Sequence, residues 1–378
     1  MAAERISPLD SWTQATEMDG GVKGPSPHGE AMLRSYTVAR ALEYGMAIDD
    51  FLRLDARVRE GAEWVEVLEH LAEDNLARAR LQEQRQRAVP ASDFYLLAAA
   101  CFRLAQAGAE EAPAQRLALY ERQAEAFGKG VKSSGLDVQP LEFRFQDARH
   151  QGWFVRPDNT DSPAPCVLVW GGADGWCEAF WRSVPSFLAC KLSVCLLELP
   201  GQGLARLRDG SRLRTDFTQM VSSAMDELAA HGAHPDRFGV FGHSMGGTLA
   251  MSAAAADARV KACVNNGGVW QRSTDDKYPR VTQRVGRMLG PEIDVASFYE
   301  SLDFPKAIRS MPAQLLCVQG GKDLLVSNEQ AQQITEFRGA HAASLAYWPD
   351  GVHCVYNHAA ERNSIVTDWL AQILVGEA

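Results

Sequence analysis

The run Arg237-Phe238-Gly239-Val240-Phe241-Gly242-His243-Ser244-Met245-Gly246-Gly247 constrains the fold more than any other stretch. A β-type segment, residues 237–241, is followed almost at once by a helix-type segment of small residues, 248–256. A serine on so tight a strand-to-helix turn is forced into strained backbone geometry and presents its hydroxyl beyond the strand end. Gly242 and Gly246 relieve the crowding that this turn creates. The pattern GxSxG also arises by chance, so its surroundings decide whether Ser244 is a nucleophile.

The surroundings agree. After Gly135 short apolar runs alternate with helix-type stretches such as 216–230. The runs 166–170, 193–198, 238–241, 260–264, 314–318 and 345–348 read as strands, and 141–146 with 152–156 as a hairpin. Such alternation implies a parallel sheet flanked by helices. The stretch 270–304 is long for one crossover and is expected to carry extra helices as a lid.

Before Gly135 the texture differs. Residues 30–128 are rich in Ala, Leu, Glu, Arg and Gln, strong helix formers. Trp64, Val67, Leu68 and Leu71 recur at helical spacing, as do Leu117, Tyr120, Ala124 and Phe127. Pro90-Ala91-Ser92 reads as a break between helices with Ser92 as N-cap, and Gly128 and Gly130 as the end of the last helix. The expected division is an all-helical domain, 1–134, and an α/β domain, 135–378. The first 25 or so residues, spiced with Gly, Pro and Ser, are expected to be loosely held.

A serine hydroxyl needs a base, and on this type of turn the partners follow in the order Ser, acid, His. Asp323 closes the turn Gly320-Gly321-Lys322-Asp323 after the strand 314–318. His353 ends the loop Pro349-Asp350-Gly351-Val352-His353 after the strand 345–348. Both therefore fall on the rim that carries Ser244. The roles expected are Ser244 as nucleophile, His353 as general base then acid, and Asp323 as orienter of His353. Asp350 is a poorer acid, His358 falls in the following helix, and His243 reads as a packed residue. For an oxyanion, one donor is Met245 N–H. The second is expected just after the strand 166–170, at Ala173 N–H or, as the alternative, Gly172 N–H. The turn Pro200-Gly201-Gln202-Gly203 reads as structural punctuation.

The chain has 378 residues, 46% of them apolar, so a sizeable core can form. A net charge of −10 argues against nucleic acid and anionic membrane partners. The apolar run around Phe94 to Phe102 is too short to span a bilayer, and the charged N-terminus lacks a secretory h-region. Eight scattered cysteines show no zinc-like spacing and read as buried thiols in a cytoplasmic protein. Gly201-Gln202-Gly203 lacks the third glycine of a dinucleotide fingerprint. No cofactor or metal is expected.

The motifs GHSMGG, GGKD and DGVHCVYN, in that order from Gly135 onward, resemble those of the α/β-hydrolase superfamily. With the helical N-terminal segment, the chain is similar to the group of dihydroxypseudooxynicotine hydrolase, the fermentation-respiration switch protein and fungal hydrolases that trim polyketide pigments. Gly171 to Asp174 and Asp350-Gly351-Val352-His353-Cys354 carry the closest local matches. The resemblance implies the triad Ser244, Asp323 and His353, a helical cap over the site, often a homodimer, and cleavage of C–C bonds beside a ketone as well as esters. The nicotine-pathway enzyme's extra acidic residue has no glutamate counterpart here; Asp275 and Asp276 lie in the corresponding stretch. The expected substrate is an aromatic or polyketide-type small molecule, with Trp176, Trp270, Tyr278 and Tyr356 as candidate contacts. An acyltransferase with the same triad and a non-catalytic regulator are the competing readings.

Overall fold

A computed structural model describes residues 24–158, 163–173, 175–269, 279–339 and 342–376. The chain divides into two compact units, Met1–Gly135 and Leu136–Ala378. The N-terminal stretch 1–23, Asp174, and the segment 270–278 with Trp270, Asp275, Asp276 and Tyr278 lie outside the described residues.

The first unit is helical: α1 (Pro27–Ser35), α2 (Val38–Glu43), α3 (Ile48–Arg59), α4 (Trp64–Gln84), α5 (Ala88–Gly108) and α6 (Pro113–Lys132). The apolar spacing of α4 does what it predicts: Trp64, Val67, Leu68 and Leu71 are all buried. In α6 the buried face is offset, through Leu119, Tyr120, Ala126 and Phe127, which leaves Leu117 and Ala124 at its margin. Two local readings are corrected. Pro90-Ala91-Ser92 does not separate two helices; the break comes earlier, where Gln86 turns the chain at φ +56°. Pro90 is the third residue of α5, where its missing N–H has no intrahelical acceptor to lose. Ser92 is buried inside α5 and donates to Gly130 O at 2.8 Å. Gly128 and Gly130 do not end α6, which runs on to Lys132. At Gly130 a Cβ would come within 2.8 Å of Leu96 Cγ, so this glycine serves close helix packing. The helix α5 spans 21 residues and is long and apolar enough to cross a membrane by composition alone; 61% of its most apolar stretch is buried. It packs between α4 and α6.

The second unit holds an eight-stranded sheet of order β1-β2-β4-β3-β5-β6-β7-β8. Its strands are β1 (Asp137–Phe145), β2 (Ala148–Arg156), β3 (Ala164–Trp170), β4 (Ser193–Leu197), β5 (Ala233–His243), β6 (Val260–Asn266), β7 (Gln314–Gly320) and β8 (Ala343–Trp348). β1 and β2 form the expected hairpin, and β2 enters the sheet antiparallel to β4; the remaining pairs are parallel. β3 and β4 are buried along their whole length, as expected for strands covered on both faces. The helices of this unit are, in chain order, α7 (Val184–Ala189), α8 (Gly203–Leu207), α9 (Phe217–Ala230), α10 (Met245–Ala256), α11 (Pro279–Leu289), α12 (Val295–Ser301), α13 (Phe304–Ser310) and α14 (Asn328–Arg338) between strands, and α15 (Ala359–Leu374) after β8. The extra helices expected within 270–304 are α11 and α12. The strand ends of β3, β5, β7 and β8 share one rim, the usual place for a site in an open parallel sheet.

Candidate active site

Ser244 sits between β5 and α10 at φ +57°, ψ −132°. Two carbonyl-lined contacts explain the flanking glycines. A Cβ on Gly242 would overlap Gly246 O, and one on Gly246 would lie 2.5 Å from Gly171 O. The strained residue is held by its own N–H, which donates to Asn266 O on β6 at 2.7 Å. Trp170 Nε1 donates to Gly246 O at 2.8 Å and ties the turn to the end of β3.

The acid and histidine loops are joined backbone to backbone. Gly321 N–H donates to Trp348 O at 2.7 Å, and Lys322 N–H to Gly351 O at 2.8 Å. Asp323 Oδ1 accepts from Leu325 N and Val326 N at 2.8 and 3.1 Å, which aims Oδ2 at the histidine. His353 Nδ1 lies 2.8 Å from Asp323 Oδ2, and His353 Nε2 lies 2.9 Å from Ser244 Oγ. Because Oδ2 can only accept from the imidazole, Nδ1 carries the proton and Nε2 is left to accept from the serine. The Asp323 side chain is fully shielded from solvent. Burial by itself lowers the His353 pKa. The neighbouring Cys354 and the Asp323 carboxylate, each close by and hydrogen-bonded to the ring, outweigh it, so the ring is held well above the ordinary histidine value.

The loop after His353 is strained as well. Cys354 and Val355 both adopt left-handed conformations, at φ +55° and +54°. For a β-branched residue that is a rare state. Two donors hold it: Asn266 Nδ2 at 3.1 Å and the fully buried Arg362 Nη1 at 2.7 Å both reach Cys354 O. Asn266 Nδ2 also lies 2.9 Å from His243 Nδ1. His243 is buried and packed, its ring 4.3 Å from those of Phe180 and Phe241. Burial, then the nearby charges of Arg362 and His353, keep it well below the usual histidine range and hence neutral. It is a packing residue that links the serine turn to the histidine loop.

Met245 opens α10, so its N–H belongs to the first helical turn, where no intrahelical acceptor exists. Gly172 lies directly against the serine turn. A Cβ on it would stand 2.8 Å from Ser244 Cβ and 3.0 Å from Met245 N. Ala173 follows it at the same turn, partly buried. Of the candidate substrate contacts, Trp176 and Tyr356 are buried. Asp350 is engaged elsewhere, 3.0 Å from His358 Nε2. His358 does not fall within the following helix as expected; it precedes α15 as its N-cap.

Three residues at the site escaped the sequence reading: Asn266, Arg362 and Gln202. Asn266 and Arg362 act through a carbonyl, for which no motif exists. Gln202 had a signal, its place in a Gly-Gln-Gly turn at the end of a strand on the same rim. Among the described residues, no group of three or more His, Cys, Asp or Glu is arranged to hold a metal ion. All eight cysteines are free thiols.

Residues 167–261 match the thioesterase domain family model. The chain is 22% identical over 340 residues to 2,6-dihydropseudooxynicotine hydrolase of Paenarthrobacter nicotinovorans, covering 88% of this chain and 90% of that one. It is 29% identical over 240 residues to alpha/beta hydrolase ucsC of an Acremonium species, covering 57% of this chain but only 49% of the relative. The crystal structure of 2,6-dihydroxy-pseudo-oxynicotine hydrolase superposes with a TM-score of 0.76 at 20% identity, over 89% of this chain and 95% of that chain.

Proposed function

We propose that this chain, an enzyme of the α/β-hydrolase fold, is a serine hydrolase that cleaves an acyl group from an aromatic or polyketide-type small molecule. The hydrogen-bonded line from Asp323 through His353 to Ser244 carries this reading. Ser244 Oγ attacks the carbonyl carbon while its proton passes to His353 Nε2. The developing oxyanion is met by Met245 N–H and by Ala173 or Gly172 N–H. Collapse of the tetrahedral intermediate breaks the bond to the leaving group, which takes the proton back from His353. The leaving atom is oxygen or sulfur in an ester or thioester. In cleavage beside a ketone it is a carbon, stabilised as an enolate or electron-rich arene. Water, deprotonated by His353, then releases the acyl group as an acid.

The thioesterase-domain match supports acyl chemistry, and the name of the Paenarthrobacter relative supports a small aromatic substrate. A homodimer and a cytoplasmic location belong to the same proposal and are checked by sedimentation and by cell fractionation. The deciding experiment gives wild type and Ser244→Ala a matched aryl β-diketone and aryl ester, with products read by mass spectrometry. Serine-dependent cleavage of the ketone assigns C–C hydrolysis, and of the ester alone, esterase or thioesterase chemistry. Transfer of the acyl group to an added alcohol or amine in preference to water would make the enzyme an acyltransferase. Products that form equally with Ser244→Ala would overturn the proposal.

A further inference from the structure

The turn after β4 holds a side chain that the mechanism above does not use. Gln202 is buried, at 3% exposure, and stands at the N-cap position of the short helix α8, with its side chain turned to other partners. Its amide is fully engaged. Oε1 accepts from Leu199 N at 3.0 Å, and Nε2 donates to Gly171 O at 2.8 Å and to Gly172 O at 2.9 Å. These partners fix which end is which, since the flipped amide would set an oxygen against two carbonyls. The turn that carries it is fixed in its own right. Glu198 Oε1 accepts from Ala205 N at 2.5 Å, and a Cβ on Gly203 would collide with the Glu198 carboxyl. Burial drives that carboxyl's pKa well above its ordinary value.

Gly171 and Gly172 open the turn that carries the candidate oxyanion donors, Gly172 N–H and Ala173 N–H. In a trans peptide the C=O and the following N–H point in opposite directions. Holding Gly171 O therefore sets the direction of Gly172 N–H, and holding Gly172 O sets that of Ala173 N–H. Gly172 O also accepts from Gly175 N at 2.9 Å, so its peptide is anchored by two donors. On its other flank the same glycine abuts Ser244 Cβ and Met245 N. Without Gln202, two carbonyls next to the nucleophile would lose a buried partner; Gly172 O would keep Gly175 N alone, and the Gly171 carbonyl would lose the donor that fixes its plane.

We propose that Gln202 is the positioning residue of the oxyanion hole: its carboxamide, clamped on Gly171 O and Gly172 O, aims the N–H groups of Gly172 and Ala173 at the oxyanion. This rests on the serine-hydrolase reading. Gln202 touches no reacting atom, so its effect falls on transition-state stabilisation and spares ground-state binding. Removing an oxyanion donor outright costs about 10²–10³ in kcat. Misaiming one by losing its anchor is expected to cost about 30–100-fold.

The test is Gln202→Met, which keeps length and volume and removes both donors. Its kcat on the ester or ketone that the wild type turns over should fall by about 30–100-fold. KM should stay within about threefold, as should the Kd of the unreacted substrate for Gln202→Met/Ser244→Ala relative to Ser244→Ala. An aryl trifluoromethyl ketone adds to Ser244 and places an oxyanion in the hole. Its Ki should rise by the factor by which kcat/KM falls, which loosened packing alone would not produce. Melting temperature and near-UV circular dichroism establish that the variant folds. Should it not fold, Gln202→Glu keeps the length and the acceptor for Leu199 N–H, and the same parallel between Ki and kcat/KM is expected. An unchanged kcat in the folded variant, or a loss confined to KM with an unchanged trifluoromethyl-ketone Ki, would overturn this inference alone. Equal turnover by wild type and Ser244→Ala would overturn the hydrolase reading and this inference with it.

Discussion

Two glycines show how differently the two units are built. In the helical unit, Gly130 leaves room for the tip of Leu96, a side chain that can turn away. In the α/β unit, Gly242 leaves room for Gly246 O, a backbone atom that cannot. The same contrast runs through both regions. The helices are built from residues that favour helices, and a buried polar group can find its partner across a helix pair, as Asn75 Nδ2 does in donating to Asp50 Oδ2 at 2.9 Å. At the rim of the sheet local preference is overruled. Ser244, Cys354 and Val355 all hold positive φ. Each is kept there by hydrogen bonds from another element: Ser244 by Asn266 O, the histidine loop by Asn266 and Arg362. Strain of this kind persists only where the surroundings over-determine it, and it gathers where chemistry needs an exposed group at a fixed angle.

Substitutions at the rim should therefore damage chemistry or the turn itself, whereas those in the helices should shift stability by small amounts. The largest effect is expected for Ser244→Ala, which should lower kcat by at least about 10⁴-fold with the melting temperature nearly unchanged. Asp323→Asn should follow, at about 10³–10⁴-fold, because it presents an NH₂ to His353 and favours the wrong tautomer. Steady-state kinetics beside thermal melts would check both. A comparable loss of melting temperature in either would break the contrast.

Gly242→Ala should cost at least about 3 kcal/mol, seen as a large drop in melting temperature or in soluble yield, because a backbone carbonyl blocks its Cβ. Gly130→Ala should cost only about 1 kcal/mol, since crowding of Leu96 is partly offset by the better helix propensity of alanine. Denaturant midpoints of the two variants, compared directly, sharpen the difference; equal losses would erase it. The smallest effect is a displacement in pH. A protonated His353 cannot accept the serine proton, so kcat/KM should be high above its pKa and fall as pH drops through it. With that pKa raised, the midpoint should lie above the value of about 6.5 for an unperturbed histidine. In Asp323→Asn the midpoint should move downward, as the carboxylate that favours the charged ring is gone.

How much was legible follows the same divide. The strands were readable because apolar runs of parallel strands are local and bounded, and the serine turn was readable because Gly242 is required by a carbonyl of the same turn, Gly246 O, although Gly246 itself answers to the distant Gly171 O. Asp323 and His353 followed from their places after β7 and β8. Ser92 and Gly130 were misread because a serine after a proline and a glycine late in a helix carry strong local meanings. In the fold they answer instead to each other across α5 and α6. Gln202, Asn266 and Arg362 were invisible for a related reason. Each acts on the carbonyl of a segment outside its own element, and a carbonyl is present at every residue. Nothing in the sequence marks which one needs a donor.

The central claim is that Ser244 becomes acylated during turnover. Rapid quenching with an activated aryl ester, followed by peptide mass mapping, measures it directly. The account predicts an acyl group on the Ser244 peptide of wild type, formed as fast as turnover requires and absent from Ser244→Ala. Steady product release with the acyl group on another residue, or on none, would contradict it.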